Sequence, residues 1–356
     1  LCTNTTGNYN NAFGLQALQC NTTASNNTAL GNSAMKLNTT GSNNVALGNN
    51  ALVNNTTASN NTAVGYQAGT AITTGYQNTA LGQNALDSTT TANHNTAIGA
   101  TTLQANTTGY ANTAVGFNAL FSHTTGNSNT AIGDNTMRLT TTGTFNVAVG
   151  DNALCSNTTA SSNVAIGRDA LFANTTGTQN VAVGALALDA NTTGGYSVAI
   201  GNGALGSQTT PDNNVAVGRI AGGNTTTGTR NTFVGGAYAL GTGANNTTGN
   251  DNSFFGVDAG GSNTTASNNT AIGASALKAN TTGTDNVAVG YQALADNTTG
   301  AVNTAIGCRT GKNITTGTNN LTLGREAGTG GSPFNITTQS HRIVLGDNNI
   351  SNAYIR

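Results

Sequence analysis

Apolar residues along this chain come in runs of three or four, each bounded by asparagine and glycine. Asn95-Thr96-Ala97-Ile98-Gly99 and Asn180-Val181-Ala182-Val183-Gly184 are typical. The runs are short and rich in β-branched residues, which predicts a brief strand in each. The closing glycines recur every 17 residues from Gly14 to Gly235, jump once by 21 to Gly256, and resume at 17 through Gly324. A looser copy closes at Gly346, making 20 copies. A helical repeat would need helix formers and a long apolar stripe, whereas Asn, Thr and Gly dominate here. A period this strict predicts an all-β fold, a parallel β-solenoid or β-roll of about 20 rungs. At roughly 4.8 Å per rung, such a coil would form a rod about 95 Å long. Residues 1–331 are expected to form the repeat, with an insertion near 236–252, and 332–356 an irregular terminal rung or cap.

Within the strand, side chains alternate between two faces. Thr or Val and then Ile, Val or Leu share one face, and Ala occupies the other. The bulky face is expected to fill the coil interior. The alanine column, apolar on the remaining side, is then expected to pack against another chain. After the glycine come Ala-Leu, as in Ala85-Leu86 and Ala293-Leu294, or in some rungs Ala-Gly, as in Ala68-Gly69. These supply the second half of the core.

Next in most rungs is Asn-Thr-Thr, beginning at Asn21, Asn38, Asn106, Asn157, Asn174, Asn191, Asn263, Asn280 and Asn297. Stacked asparagines can hydrogen-bond along the coil as a ladder. The same residues match the N-glycosylation acceptor pattern, although glycans about 4.8 Å apart would crowd one another. Threonine arrays on solenoids also bind ice, but adjacent threonines point to opposite faces, which spoils a flat two-column array. Two rungs break the alanine rule, with Phe233 and then Phe254-Phe255, and a local widening or bulge is expected there, around an insertion near Gly241-Thr242-Gly243-Ala244.

Composition narrows the function. Charged residues make up 6% of the 356 and the net charge is -1, which excludes a basic nucleic-acid groove and gives no attraction to anionic membranes. No stretch approaches the roughly 20 apolar residues of a membrane span. Four cysteines do not make a disulfide framework in a chain of this size. Cys2 and Cys20 should lie on adjacent rungs and are candidates for a disulfide; Cys155 and Cys308 read as small core or turn residues. His94, His123 and His341 are scattered without a metal-ligand set, and calcium-type Gly-Gly-x-Gly-x-Asp repeats are absent. No catalytic, cofactor or metal residue is expected, and no enzymatic activity. The sequence starts inside a repeat at Leu1 and reads as a piece of something longer.

The unit Asn-(Thr/Val)-Ala-(Ile/Val)-Gly-x-x-Ala, as at Asn129-Thr130-Ala131-Ile132-Gly133, resembles the head repeats of trimeric autotransporter adhesins over nearly the whole chain. That resemblance implies a left-handed parallel β-roll and three chains side by side, although 17 residues exceeds the usual period of that family. The closing segment, from Ser340-His341-Arg342-Ile343-Val344-Leu345-Gly346 to Arg356, resembles the region preceding the endosialidase-type intramolecular chaperone of phage tail fibres. It implies a matured trimeric fibre, with the cleavage residues of the chaperone beyond Arg356.

The expected function is that of a non-enzymatic structural or adhesive fibre, extracellular or on a cell or virion surface. Its partner would be itself, as a homotrimer that could stack end to end, with a surface receptor or glycan as a further ligand. The alternatives are a self-assembling extracellular filament or coat and an ice- or carbohydrate-binding solenoid.

Overall fold

A computed structural model of the chain describes residues 3–236, 240–330 and 335–347. The fold is an all-β parallel solenoid with the 17-residue repeat, in two compact units, Leu1–Gln179 and Asn180–Arg356. The first unit runs from β1 (Asn11–Phe13) to β10 (Val164–Ile166), and the second from β11 (Val181–Val183) to β20 (Ile343–Leu345). Every strand is three residues long. Within each unit, successive strands pair in parallel with each residue opposite its repeat equivalent, as Val45↔Thr62, Ala46↔Ala63 and Leu47↔Val64.

The rung of Val45–Leu47 explains how so polar a chain satisfies its backbone. The Val45 N–H donates to Asn61 O at 2.9 Å on one side, and the Gly48 N–H to Leu30 O at 2.8 Å on the other. Beyond the strand, the Asn50 N–H donates to Asn32 O and the Leu52 N–H to Ala68 O, both at 3.0 Å. Amides thus point alternately up and down, and the turns are tied between rungs as firmly as the strands. This path needs positive φ at Asn50 (58°), Leu52 (49°) and Asn60 (62°) as well as at Gly48 (139°). A left-handed leucine is costly by itself, about 1–2 kcal/mol. Its complete burial, generally worth about 1.5–3 kcal/mol, offsets that cost. Gly48 has no such freedom, because a Cβ there would overlap the carbonyl oxygen of Gly65.

The strand faces are the reverse of the sequence expectation. Ala46 is wholly buried, while Val45 and Leu47 remain 39% and 38% exposed. The pattern holds in every alanine rung from Ala29 to Ala305: the methyl is buried, and the residues on either side of it are partly or largely exposed. Space is the reason. The interior of a 17-residue coil also holds Ala51, Leu52, Asn55, Ala58 and Asn61, leaving room for one methyl opposite the leucine. The alanine column is therefore core and cannot be a contact with another chain.

The aromatic rungs show the same steric rule. Phe233 and Phe254 lie inside, in register, with ring centroids 5.6 Å apart. The strands neither widen nor bulge. Glycine instead replaces the usual leucine at Gly222, Gly243 and Gly260, where a Cβ would collide with Phe233, Phe233 and Phe254 respectively. The extra residues of this region precede Thr242 instead of including Gly243. Thr242 occupies the ordinary post-strand alanine position, donating Oγ1–H to Gly256 O at 2.7 Å as Thr102 does to Gly116 O at 2.7 Å. Asp258 secures the return of the chain by accepting the N–H groups of Leu240 and Gly241, each at 3.1 Å. Much of the irregular segment expected from 332 lies outside the described residues; within it, β20 pairs with the strand Leu321–Leu323.

Candidate binding surfaces

Two asparagine columns of the repeat point inward and carry its polar chemistry, while both threonines of Asn-Thr-Thr and the strand face lie on the outside. The Asn-Thr-Thr asparagines form one inward column. Asn38 Nδ2 donates to Asn21 Oδ1 and to Gly41 O, both at 2.9 Å, and Asn38 Oδ1 accepts from Asn55 Nδ2 at 2.7 Å. The ladder reading of these residues is thus met in atomic detail. Asn21, Asn38, Asn106, Asn157, Asn174, Asn191, Asn263, Asn280 and Asn297 are all completely buried. A glycan on Nδ2 would have no room in this fold and would displace the donors of the ladder.

A second ladder had no role in the sequence reading. It is built from the asparagine that opens each pentapeptide. Asn44 donates its backbone N–H to Asn27 Oδ1 and its Nδ2 to Ala58 O, both at 2.9 Å. Its signal was available, since this asparagine recurs in nearly every rung. Where Ser197 interrupts it, Gln208 stands in the first ladder and reaches across, donating to Ser197 Oγ at 3.1 Å and accepting from Asn214 Nδ2 at 3.0 Å.

His123 also stands in the first ladder. It is buried; its Nε2–H donates to Gly126 O at 2.7 Å, and burial holds its pKa below the usual histidine value. Its Nδ1 and the neighbouring Asn106 Oδ1 are buried without a hydrogen bond. Cys2 lies outside the described residues. Cys20 is half-buried and free, Cys155 is buried and Cys308 is exposed. Burial pushes the Cys155 thiol pKa up, as for an inert core thiol. Among the described residues no three His, Cys, Asp or Glu side chains gather in a metal-binding group. No described helix is long and apolar enough to cross a membrane.

Outside, the first threonine of Asn-Thr-Thr binds the next rung, as Thr39 Oγ1–H donates to Thr56 O at 3.0 Å. The second is exposed in every described rung from Thr23 to Thr338, a single hydroxyl column. The two threonines differ in burial and so do not form a flat paired array. The strand face carries an apolar column before the glycine, with exposed Leu30, Leu47, Leu81, Ile132 and Ile166 on the first unit and Ile200, Ile272 and Ile306 on the second, beside a column of Thr or Val. Charges are few, and the best-formed pair is the bidentate contact of Arg230 with Asp251 at 2.7 Å, which lowers the Asp251 pKa. Surface hollows occur at both ends of the described chain, one lined by Asn10–Phe13 with Thr28–Leu30, another by Ile336 and His341–Val344. No protein-family model matches the chain, and no curated protein matches it in sequence.

Proposed function

We propose that the chain is a non-enzymatic, self-associating subunit of an adhesive or structural fibre, displayed outside a cell or on a virion. The observation that carries this reading is the outward strand face. On each unit, ten strands at about 4.8 Å would present a stripe about 43 Å long, two side-chain columns wide, or roughly 400 Å². The stripe of each unit is about half of the roughly 800 Å² that each partner contributes to a standard protein–protein interface. Only a surface with the same rung spacing meets such a stripe at every step, and another copy of this chain has it. Three copies side by side is the arrangement that the resemblance to adhesin heads implies. The apolar contact in that arrangement is the Val/Ile/Leu column that precedes the glycine, with Thr or Val beside it and the alanines behind it.

The native mass tests this. Sedimentation or light scattering at micromolar concentration should give a species near three times 35.3 kDa. Ile132→Asp with Ile166→Asp should shift it toward monomer while far-UV dichroism is kept. A wild-type monomer would overturn the proposal. A second reading is end-to-end stacking of copies into filaments. It would appear as a mass growing without limit with concentration.

A further inference from the structure

The turn preceding the strands of the first unit carries a patch that neither the core nor the strand face accounts for. Tyr76 and Tyr110 occupy the same rung position two rungs apart and are 44% and 51% exposed. Each is anchored through its backbone, the Tyr76 N–H donating to Asn93 Oδ1 and the Tyr110 N–H to Asn127 Oδ1, both at 2.9 Å. Exposed His94, in the rung between, stands edge-on to Tyr76 with ring centroids 5.3 Å apart. Phe145, 63% exposed, occupies the place of His94 three rungs on. At about 4.8 Å per rung, the two tyrosines lie about 9.6 Å apart along the coil. Beside them runs the hydroxyl column, Thr74, Thr91, Thr108, Thr125 and Thr142, all exposed.

From Thr74 to Phe145, the outward positions of this turn contain no Lys, Arg, Asp or Glu. Aromatic faces with polar rims suit ligands that are apolar on one side and hydrogen-bonding at the edge. Uncharged surroundings leave no attraction for an anionic polymer. A row of rings repeating along a straight axis, flanked by hydroxyls and amides, fits a linear ligand with flat C–H faces and equatorial hydroxyls. We infer that Tyr76, His94, Tyr110 and Phe145, with the threonines beside them, form a binding rail for a neutral, linear, β-linked glycan. Alternate sugar rings would stack on Tyr76 and Tyr110, and the intervening Asn93 and Thr91 would meet hydroxyls. This deepens the adhesive reading by naming a ligand class, but rests on one unit alone and not on the number of copies that associate.

The full chain should be titrated calorimetrically, and by tyrosine fluorescence, with cellohexaose, N-acetylchitohexaose and mannohexaose, and with hyaluronan oligomers as the charged comparison. Binding of at least one neutral hexasaccharide is expected, at least tenfold tighter than its disaccharide, which cannot span both tyrosines. Tyr76→Ala and Tyr110→Ala should each weaken it at least tenfold. Phe117→Ala, at an exposed ring in another rung position, should leave it unchanged. The inference fails if no neutral hexasaccharide binds at millimolar concentration, if hyaluronan binds more tightly, or if both tyrosine variants bind like the wild type. Native mass, measured on the same samples, reports separately on association, so either idea can fall while the other stands.

Discussion

Replacing His123 by Asn should stabilise the protein, and the expected gain follows from two stranded atoms. In an ordinary rung the ladder asparagine uses one N–H on the carbonyl three residues ahead and the other on the preceding asparagine, as Asn38 does with Gly41 O and Asn21 Oδ1. His123 makes only the first of these bonds, to Gly126 O at 2.7 Å. Its Nδ1 and Asn106 Oδ1 stay buried and unpaired. A buried unsatisfied polar atom costs about 1–3 kcal/mol. Asn at 123 would donate to Asn106 Oδ1 and present its own Oδ1 to the Thr140 hydroxyl. The smaller side chain leaves some space, which returns part of the gain, so a net stabilisation of about 1–3 kcal/mol is expected. Acid adds a second signature. Burial lowers the folded-state pKa of His123 below the unfolded value of about 6.5, so below that pH the unfolded chain binds the proton first. Wild-type stability should therefore fall as pH drops through about 6.5 and level off only below the folded pKa. Carboxylates such as Asp87, whose pKa burial raises, are common to both proteins and cancel in the comparison. Urea unfolding at pH 8 and pH 5, followed by far-UV dichroism, measures both effects. Amide exchange around Leu120 locates them, since repeat arrays can open in parts. A variant no more stable at pH 8, or one that loses as much stability as wild type by pH 5, would show the ladder reasoning to be wrong.

Two further substitutions probe the core. Phe233→Ala should cost about 3–5 kcal/mol through the cavity it leaves. Gly243→Leu should fail by collision with the Phe233 ring. The double variant, which recreates an ordinary Ala–Leu rung, should recover at least about 1 kcal/mol of coupling in a thermal-unfolding double-mutant cycle, and strict additivity would deny the exchange of volume. Asn38→Ala removes three buried hydrogen bonds and should destabilise by about 2–4 kcal/mol, against less than about 0.5 for Thr40→Ala on the exposed column. Equal losses in denaturant titration would mean that the inward and outward columns are misassigned.

The period, the strands and the asparagine ladder were legible in the sequence because each depends on local chemistry repeated at fixed spacing. The facing of the strand was not. Hydrophobicity ranks Val45 and Leu47 above Ala46 for burial, but the coil interior is limited by volume. Chain length per rung sets that volume, and residue character does not reveal it. Ala51 and Leu52 are buried, as expected of the Ala-Leu pair, and it is the left-handed backbone of Leu52 that turns the leucine inward and fills the space opposite the strand. Once that leucine and Asn55 are inside, only a methyl fits opposite. The exchange of Leu for Gly at positions 222, 243 and 260 carried the same information, and so did Gly69 beside Ile72, where Ile replaces a ladder asparagine. Each exchange against a ring becomes visible only when the rung is closed, because the glycine and the ring that fills its place are brought together by the coil and not by a sequence motif.

The inverted strand face also changes what the proposed association would accomplish. Had alanines faced outward, three copies could approach closely through methyl groups, and the monomer would have kept a bulky aliphatic core. With the methyls inside, each rung's own core is mainly one leucine, a few alanines and two asparagines, held by hydrogen bonds between rungs. The Val and Ile side chains that flank the strand alanines are left partly on the surface, where about 25 cal/mol per Å² of apolar area remains to be gained by covering them. Stability within a chain thus comes from polar ladders running along the coil, and the unspent apolar area lies across it. Such a division favours a protein that folds rung by rung through its ladders and gains further stability sideways from its neighbours. On the proposed side-by-side association, a variant that stays monomeric should have lower thermal stability but unaltered amide-exchange protection of the asparagine ladders relative to one another.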